Sequence, residues 1–469
     1  MSAKHLFELP EERLATTTSS GKRKYLYPAI VSGYFRHLRT KLYYVLIVIF
    51  LGLPWITVAG QPLILLDVYH RKFIVFGIQF WAHEAPILVL VFLCFVIGIA
   101  LITALFGRVW CGFACPQTVF IDAVFSRIES FFEGKGLARK RFDESRVSLK
   151  KILIKSAKWA CFFLASLVIT NSFLAYFVGA ERVINMIQHS PLDNMTSFLV
   201  VFVSLLIILF NFGWFREQFC IIACPYGRLQ SVLMDDDSLV VGYDAKRGEP
   251  RKEDAKDNSF TGDCINCYRC VQVCPTGIDI RRGTQMECIM CSACVDACDT
   301  VMTKLKKQTG LIRFDSENGL KQQATKRIKN RFWVYLVLLS IVLSALSYSL
   351  SHRESVAVFA KRLSNPPYSE INETLIQNHF TLKITNQNFY NILASYDLSD
   401  DDIQKGIRLI KPIKRIHIKA GKTDNYSFFI RFPKTLLDQG RQSIQLKQII
   451  QSRSDQVESN QEIIIIGPR

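Results

Sequence analysis

The sequence predicts a polytopic α-helical membrane protein of about five transmembrane helices, with a small cysteine-rich domain and a C-terminal all-β Ig-like sandwich. Three observations predict this fold class: five long uncharged stretches, a doubled motif of four cysteines, and a final segment of short alternating strands. The 469 residues are 49% hydrophobic, and the apolar residues are concentrated in the five stretches. A chain of this length is expected to hold more than one domain.

The five stretches are interpreted as membrane-spanning helices. Each is long enough to cross a bilayer, which takes roughly 20 residues, and each is bounded by charged residues. Because they are apolar on every face, they are unlike the one-sided helices of a soluble protein. The predicted spans are Leu42–Leu66, Pro86–Gly107, Trp159–Ala180, Asn194–Phe215 and Phe332–Ser351.

The distribution of basic residues predicts the orientation of the chain. Residues 1–41, 108–158 and 216–331 contain 8, 11 and 19 Lys and Arg, whereas 67–85 and 181–193 contain 2 and 1. The positive-inside rule therefore predicts a multi-pass protein of the bacterial inner membrane, with its N-terminus and cysteines in the cytoplasm and its C-terminal domain in the periplasm. No signal peptide is recognised, so the first span is expected to remain as an anchor.

The net charge of +18 fits this topology without a nucleic-acid partner. Positive-inside loops and attraction to anionic lipid headgroups account for the excess of cations. No DNA- or RNA-binding motif accompanies the charge, so nucleic acid is not expected as a partner. The predicted partner of the whole chain is the lipid bilayer.

The doubled motif lies between the fourth and fifth spans. "CINCYRCVQVCP" and "CIMCSACVDACD" both have the spacing C-x2-C-x2-C-x3-C. This spacing is typical of bacterial two-cluster ferredoxins, in which the fourth cysteine of each run ligates the other [4Fe–4S] cluster. Two [4Fe–4S] clusters are therefore predicted. The first is assigned Cys264, Cys267, Cys270 and Cys298, and the second Cys288, Cys291, Cys294 and Cys274.

Two other uses of these cysteines are weighed against the clusters. Structural zinc would need only C-x2-C pairs, without a third cysteine or an exchanged fourth ligand. Disulfides are disfavoured in the cytoplasm, where thiols stay reduced. Six neighbouring apolar residues are expected to keep water from the clusters: Val271, Val273, Ile278, Ile280, Ile289 and Val295.

A second pair of cysteine motifs follows the ends of spans two and four. "RVWCGFACPQTVF" and "REQFCIIACPYGRLQ" both contain C-x3-C-P, which indicates a duplicated helical hairpin. Residues i and i+4 share a helix face, so each pair could bind a soft ion such as Cu(I), cycle as a disulfide, or join the other pair in one site. The candidate copper-binding or redox-active cysteines are Cys111, Cys115, Cys220 and Cys224.

Other candidate side chains carry weaker signals. Cys94 and Cys161 lie within spans, where a free cysteine usually packs as a small apolar residue. His70, His83, Glu84 and His189 lie in the short outer loops, and their role stays open. The stretch "VFIDAVFSRIESFFEG" is expected to form an amphipathic helix along the membrane.

The predicted domain organisation follows the chain from arm to sandwich. The last segment alternates apolar and polar residues in short runs such as "FTLKITN" and "YSFFIRF", which predicts strands. The domains are a cytoplasmic basic arm (1–41), a four-helix membrane domain (42–215), a cytoplasmic linker (216–263), the ferredoxin domain (264–303), a basic linker (304–331), the fifth transmembrane helix (332–351) and the periplasmic sandwich (352–469).

Several motifs together resemble the cytochrome c oxidase accessory protein family, known as FixG or CcoG. The resemblance rests on both C-x3-C-P stretches, on "YDAKRGEPR", on "CVQVCPTGIDIRRGTQMECIMCSACVDACD" and on "GLIRFDSENG", and it extends over roughly residues 20 to 469. It implies a membrane iron–sulfur protein that helps to assemble a cbb-type cytochrome c oxidase, with reduction of Cu(II) to Cu(I) as the proposed activity. The implied partners are that oxidase or its copper chaperones and a cytoplasmic electron donor.

Two rival functions remain open at this stage. The chain could be the electron-transfer subunit of a quinol-linked membrane reductase, which would be indifferent to copper. It could also be a non-enzymatic assembly scaffold whose sandwich binds the oxidase. Copper reduction is the preferred hypothesis, because thiolates of the C-x3-C-P pairs would favour Cu(I).

Overall fold

The fold is described from a computed structural model of the chain. The described residues are 16, 23–58, 61–69, 72–76, 78–81, 84–251, 262–325, 328–352, 356–363, 367–386, 390–413, 415–451 and 456–468. The chain divides into two compact units, of which the larger ends at Ser347 and the smaller continues from Tyr348 and includes Ile78–Phe80.

The larger unit is mainly helical. Its helices, numbered in chain order, are α1 Tyr34–Gly52, α2 Ala85–Phe106, α3 Val109–Phe113, α4 Pro116–Phe120, α5 Ser126–Phe132, α6 Leu137–Glu144, α7 Leu149–Val178, α8 Ala180–Gln188, α9 Met195–Phe210, α10 Pro225–Leu233, α11 Ala245–Gly248, α12 Arg269–Gln272, α13 Ala293–Lys304, α14 Glu317–Leu320 and α15 Asn330–Ser351. Three short π-helical turns interrupt or extend them at Ile121–Phe125, Asn211–Phe215 and Phe219–Ala223.

Six helical segments within the described part of the chain are long and apolar enough to cross a membrane. Five correspond to the predicted spans, which confirms a multi-pass membrane protein. The sixth, Val109–Phe132, contains most of the stretch predicted to lie along the membrane, Val119–Gly134, and it is broken before that stretch by Cys115, whose backbone is extended. This broken segment is also the most buried of the six, because its apolar face packs on the other helices.

Two predicted spans have different bounds in the structure. The first helix begins at Tyr34, inside the predicted polar arm, and ends at Gly52, well before Leu66. After a 3₁₀ turn the chain forms short strands instead: β1 Thr57–Val58 pairs with β2 Gln61–Pro62, and β3 Ile64–Asp67 pairs with β4 Lys72–Val75. A further strand, β5, covers Ile78–Trp81.

The third span begins ten residues earlier than predicted. Helix α7 starts at Leu149, capped by the Ser148 side chain, which accepts a hydrogen bond from the backbone N–H of Lys151. The charge of its basic first turns predicts a loop there instead. In the structure Lys158 forms an ion pair with the buried Glu133 at 2.7 Å, so the charge is neutralised inside the protein.

The described part of the predicted linker contributes to the apolar core of the cysteine-rich domain. Strand β6 Val240–Tyr243 is buried along its whole length and pairs antiparallel with β7 Ile312–Asp315. These strands flank the cysteine segment in sequence and close its apolar core in space. The domain is therefore larger than the predicted 264–303.

The C-terminal segment forms two antiparallel sheets, as the alternating pattern predicts. The first contains β8 Val356–Arg362, β9 Ser369–Asn372, β10 Leu375–Asn386, β12 Arg408–Ile410 and β14 Thr423–Pro433. The second contains β11 Ile392–Leu398, β13 Ile416–Ile418, β15 Arg441–Gln451 and β16 Gln456–Ile466, and a short helix, α16, covers Asp400–Gln404. Alternate residues of both sheets, such as Leu382, Ile430 and Leu446, are fully buried and form one core, as expected for a sandwich.

Candidate iron–sulfur and thiol site

The first set of four cysteines surrounds one small cavity. Cys264, Cys267, Cys270 and Cys298 all line it. Cys298 belongs to the second motif, so helix α13 carries it back to the first motif as the predicted ligand exchange requires. Cys267 is exposed, whereas Cys264 and Cys270 are buried.

The second set surrounds a neighbouring cavity. Cys274, Cys288, Cys291 and Cys294 line it, and Cys270 of the first set lies in the same wall. The Thr276 hydroxyl lies 3.3 Å from the Cys274 sulfur. The two cavities therefore meet at Cys270, which leaves a short path between them.

Both motifs bend around their cavities through left-handed residues at the same positions. The residues on either side of the middle cysteine have positive φ in each motif: 57° and 52° at Asn266 and Tyr268, and 52° and 57° at Met290 and Ser292. A left-handed residue reverses the local direction of the chain, and alternation with right-handed residues turns successive backbone N–H groups inward. Such a concave backbone suits a negatively charged cluster of metal and sulfide.

The spacing of the thiols fits a cluster better than a single ion. Within the described residues, no three His, Cys, Asp or Glu side chains converge closely enough to hold one metal ion. Tetrahedral zinc would require four thiolates about 2.3 Å from one atom. All fourteen cysteines are free thiols. The wider sets around two cavities fit the larger body of a [4Fe–4S] cluster.

The apolar shell expected around the clusters is present. All six residues predicted to exclude water are buried: Val271, Val273, Ile278, Ile280, Ile289 and Val295. Met302, Leu311 and Ile312 add to the same core. Inside an apolar shell of this kind the local dielectric constant is low. Nearby dipoles therefore shift the reduction potential of a bound cluster more strongly.

A buried ion pair supports the first cavity from within the domain. Arg281 contacts Asp279 at 2.7 Å, donates to the Asn266 side chain and lies 4.1 Å from the centre of the Tyr268 ring. Burial alone would raise the pKa of Asp279, but the hydrogen bonds and charge of Arg281 outweigh it and hold the pKa below its ordinary value. The pair stays charged and holds both left-handed residues in place.

Helix α1 and the first C-x3-C-P segment hold the second cavity. The Arg39 guanidinium donates to the carbonyl of Cys291 at 2.7 Å, and the backbone N–H of Arg108 lies 3.1 Å from the Met290 sulfur. At Gly112 the two backbones touch, because a Cβ there would lie 2.6 Å from the Met290 carbonyl oxygen. The second cavity is therefore attached directly to helix α1 and to the first C-x3-C-P segment.

A carboxylate of helix α13 strengthens the same attachment. Asp296 is buried and accepts hydrogen bonds from the backbone N–H groups of Phe35 and Arg36, at 3.2 and 2.7 Å. These are orphan donors in the first turn of helix α1, where the helix dipole also favours an anion.

The C-x3-C-P pairs do not have the geometry expected from sequence. Cys111 lies in helix α3, but Cys115 is extended and begins helix α4 through Pro116. Cys220 lies in a π-helical turn, and Cys224 is likewise extended before Pro225. The prediction that each pair shares the face of one helix is wrong, because proline disfavours a helical conformation for the residue before it.

The thiols of the two pairs nevertheless lie near each other and near the second cavity. Cys111 and Cys220 both pack on the apolar cluster that includes Cys291 and Cys294. The Cys111 thiol donates to the side-chain oxygen of the buried Gln230 at 3.1 Å. Burial, with the nearby thiols of the other pair, raises the pKa of Cys220 well above its ordinary value, so this thiol is held in its protonated form.

The remaining candidates lie elsewhere or outside the described residues. Cys94 and Cys161 are half-buried within helices α2 and α7, as expected for packing residues. His189 is exposed and its ring bonds the carbonyl of Asn185. Glu84 is buried, and His70 and His83 fall outside the described residues.

Several residues that position the site were missed by the sequence analysis. Arg39, Arg108, Gly112 and Asp296 act across 178 to 261 positions of sequence, which no local pattern reveals. Arg281 could have been suspected, since a charged residue in the apolar shell needs a buried partner. Asp299, which replaces the proline of the first motif, accepts a hydrogen bond from the Gly310 backbone at 2.8 Å.

Comparison with known proteins agrees with this architecture. A 4Fe–4S dicluster domain profile matches residues 215–317, and a 4Fe–4S binding-domain profile matches 88–136, which includes Cys111 and Cys115. A profile of the Ig-like fold at the C-terminus of FixG matches 346–468. Together with the cysteine cavities, these matches define a multi-pass membrane iron–sulfur protein of electron transport.

The relatives identify its family. Protein RdxB of Cereibacter sphaeroides is 35% identical over 392 residues, which are 79% of this chain and 82% of RdxB. RdxA of the same organism is 33% identical over 379 residues, 77% of this chain and 79% of RdxA. Nitrogen fixation protein FixG of Rhizobium meliloti is 36% identical over 302 residues, 62% of this chain and 57% of FixG. The chain belongs to the FixG family of membrane ferredoxin-like proteins.

Proposed function

We propose that this chain reduces Cu(II) to Cu(I) at the C-x3-C-P thiols and thereby supplies copper for the assembly of a cbb-type cytochrome c oxidase. The observation that carries the proposal is the packing of Cys111 and Cys220 against the second cysteine set. A thiol pair next to an electron carrier can receive a metal ion and an electron at the same place.

The ligand assignment belongs to the same proposal. Bound [4Fe–4S] clusters would supply electrons one at a time. The first would be held by Cys264, Cys267, Cys270 and Cys298, and the second by Cys274, Cys288, Cys291 and Cys294. The chain itself would position these thiols around each cluster and exclude water with its apolar shell. Arg39 and Gly112 would fix the second set against helix α1 and the first C-x3-C-P segment.

Copper is the substrate and each ion takes one electron. Thiolate sulfur is a soft ligand that favours Cu(I), so binding by Cys111, Cys115, Cys220 and Cys224 would favour the reduced product. The four thiols do not form a preformed three-ligand site in the described structure. A loosely held ion of this kind can be passed on to a chaperone or to the oxidase.

The proposed orientation places the clusters and the thiols on the cytoplasmic side. The basic residues of the loops before helix α7 and around the cysteine domain support it through the positive-inside rule. The electron donor would then be cytoplasmic and the C-terminal sandwich periplasmic, where it could bind the oxidase.

The proposal is tested with the purified chain under anaerobic conditions. Dithionite-reduced protein, freed of excess reductant, is mixed with Cu(II), and Cu(I) is measured with a Cu(I)-specific chelator. The wild type, with about eight iron atoms per chain, should produce Cu(I). A variant with Ser at Cys111, Cys115, Cys220 and Cys224 should keep its iron and lose most of the copper reduction.

The matched control replaces the two remaining cysteines. C94S/C161S removes free thiols that lie away from both cysteine sets, so copper reduction should be unchanged. Equal activity of the fourfold variant and the wild type would contradict the copper proposal. Rapid reoxidation by a quinone, with no response to copper, would instead favour the quinol-linked function.

A further inference from the structure

A large cavity beside the second cysteine set is not used by the function proposed above. Its volume is about 780 Å³. It is formed by the segment that precedes helix α1, the start of α1, the segment from α4 to α6, the turn around Cys220, and the loop after Cys274. Ligand pockets typically measure about 300 to 1,000 Å³, so this cavity can enclose a molecule of cofactor size.

The cavity shares a wall with the second cysteine cavity. Thr276, Ile289 and Cys291 line both. Cys220, one of the proposed copper ligands, also lines it. A molecule bound here would be separated from the second cysteine set by a single layer of side chains, which makes the cavity an entry point for electrons.

The charge of the lining favours an anionic ligand. Its two carboxylates both have ion-pair partners: Asp122 pairs with Arg36 and Arg39, and Glu217 with Arg216, which is shared with Glu129. Lys24 and Lys135 also line the cavity, are exposed, and form no ion pair with any of the described residues. These cations can therefore bind a phosphate.

The rest of the lining is suited to a flat ring system. Tyr25 and Tyr27 lie in the wall with ring centres 5.2 Å apart, and the Arg139 guanidinium, which also lines the cavity, packs over both rings. Val31 and Ile289 add apolar surface. A planar guanidinium stacks on flat rings as an aromatic side chain does. Aromatic side chains stack on flat conjugated rings, and an apolar wall excludes water from them. The lining thus offers both cations and ring-stacking surface, which are the two features that bind a phosphorylated aromatic cofactor.

We propose that this cavity binds a flavin mononucleotide and that the reduced flavin is an electron donor of the protein. The inference rests on the proposed electron-transfer function. Oxidation of the flavin hydroquinone releases two electrons, one for each cluster site, and two protons, which pass to water. A two-electron carrier that can release its electrons singly is the class of donor that two one-electron centres require.

Binding is measured first, on the full chain in lipid nanodiscs with its clusters intact. Oxidised FMN and riboflavin are titrated separately and followed by flavin fluorescence anisotropy. FMN should bind at least about tenfold more tightly than riboflavin, because only FMN can form charge-assisted hydrogen bonds through its phosphate. Inorganic phosphate should displace FMN weakly.

The variant pair locates the site. K24Q/K135Q should weaken FMN binding about tenfold and leave riboflavin binding unchanged. R146Q/K150Q removes the same charge from two exposed residues outside the cavity and should leave both affinities unchanged. Both variants alter exposed side chains, so iron content should match the wild type.

A second measurement tests electron entry. Anaerobic addition of reduced FMN should produce the EPR signal of reduced clusters in the wild type and in R146Q/K150Q, and about tenfold more slowly in K24Q/K135Q at low flavin concentration. Dithionite should reduce all three equally. Copper reduction by dithionite-reduced protein is scored separately, so the two proposals can fail independently.

Three results would overturn the inference. They are absence of FMN binding, equal affinity for FMN and riboflavin, and displacement of FMN by a short-chain quinone at lower concentration than by phosphate. The last would assign the cavity to a membrane quinone instead.

Discussion

The two cysteine cavities are built from similar motifs but are supported in different ways. The first is held within its own domain, by the Arg281–Asp279 pair and an apolar core, and one of its cysteines, Cys267, is exposed. The second is held from outside, by Arg39 of helix α1 and by the backbone contact at Gly112. The repeated motif supplies the cysteines of both sets, and the residues packed around each set determine which parts of the protein it contacts.

This difference indicates a direction for electron flow. The second cavity lies against the C-x3-C-P thiols and the large basic cavity, whereas the first lies away from both. Under the proposed function, the second set would exchange electrons with the thiols, and the first would store an electron or receive one from a soluble donor. Four experiments test this difference between the two cavities.

The largest effect is expected from replacing one cysteine in each set. C291A should remove about four iron atoms and abolish reduction of Cu(II), because the cluster next to the thiols is lost. C267A should also remove about four iron atoms, yet dithionite-loaded protein should retain copper reduction through the second set. Iron content, EPR and Cu(I) yield are measured together. Equal loss of activity in both variants would contradict the assigned direction.

The next effect tests the internal support of the first cavity. R281M would leave the Asp279 carboxylate buried without its partner, which typically costs about 3–5 kcal/mol. The thermal midpoint for loss of visible cluster absorbance should fall strongly. R282M, at the adjacent exposed residue, should have the thermal midpoint of the wild type. If both variants behave alike, the ion pair does not support the cavity.

The external support of the second cavity is tested at Gly112. G112A would place a methyl group against two backbone carbonyl oxygens, of Met290 and Ile289, which cannot move cheaply. Such overpacking typically costs about 1–3 kcal/mol. Iron content should be retained while copper reduction slows, because the attachment to the thiols is loosened. G98A, where a Cβ meets nothing within 4 Å, is the matched control.

Much of this architecture was predictable from the chain because its signals are local. The cysteine spacing indicates two clusters and an exchanged fourth ligand, and cysteines of both motifs line each cavity. The alternation over residues 352–469 predicts a sandwich, and two sheets with one core confirm it. Helix length and apolar composition predict the spans. They do not predict the start of helix α7, because its first turns carry basic residues such as Lys158, whose charge is neutralised by Glu133.

The rest depends on contacts or backbone states that residue type does not specify. Met290 and Tyr268 are ordinary L-residues, yet they adopt the left-handed conformation because the cysteines on either side must converge. The break at Cys115 was readable from Pro116, but the periodicity of the segment concealed it. The partners of Asp296 lie 260 positions away, where no pattern could indicate them.

The smallest effect is expected at that long-range contact. D296N keeps one acceptor oxygen but loses the charge and one of the two hydrogen bonds to the start of helix α1, which is worth about 1 kcal/mol. Amide hydrogen exchange at Phe35 and Arg36 should become about fivefold faster, since these donors open without global unfolding. E287Q, a neutralised carboxylate elsewhere in the cysteine domain, should leave both rates unchanged. Unchanged rates in D296N would mean that Arg39 and Gly112 alone hold the second cavity against the helical domain.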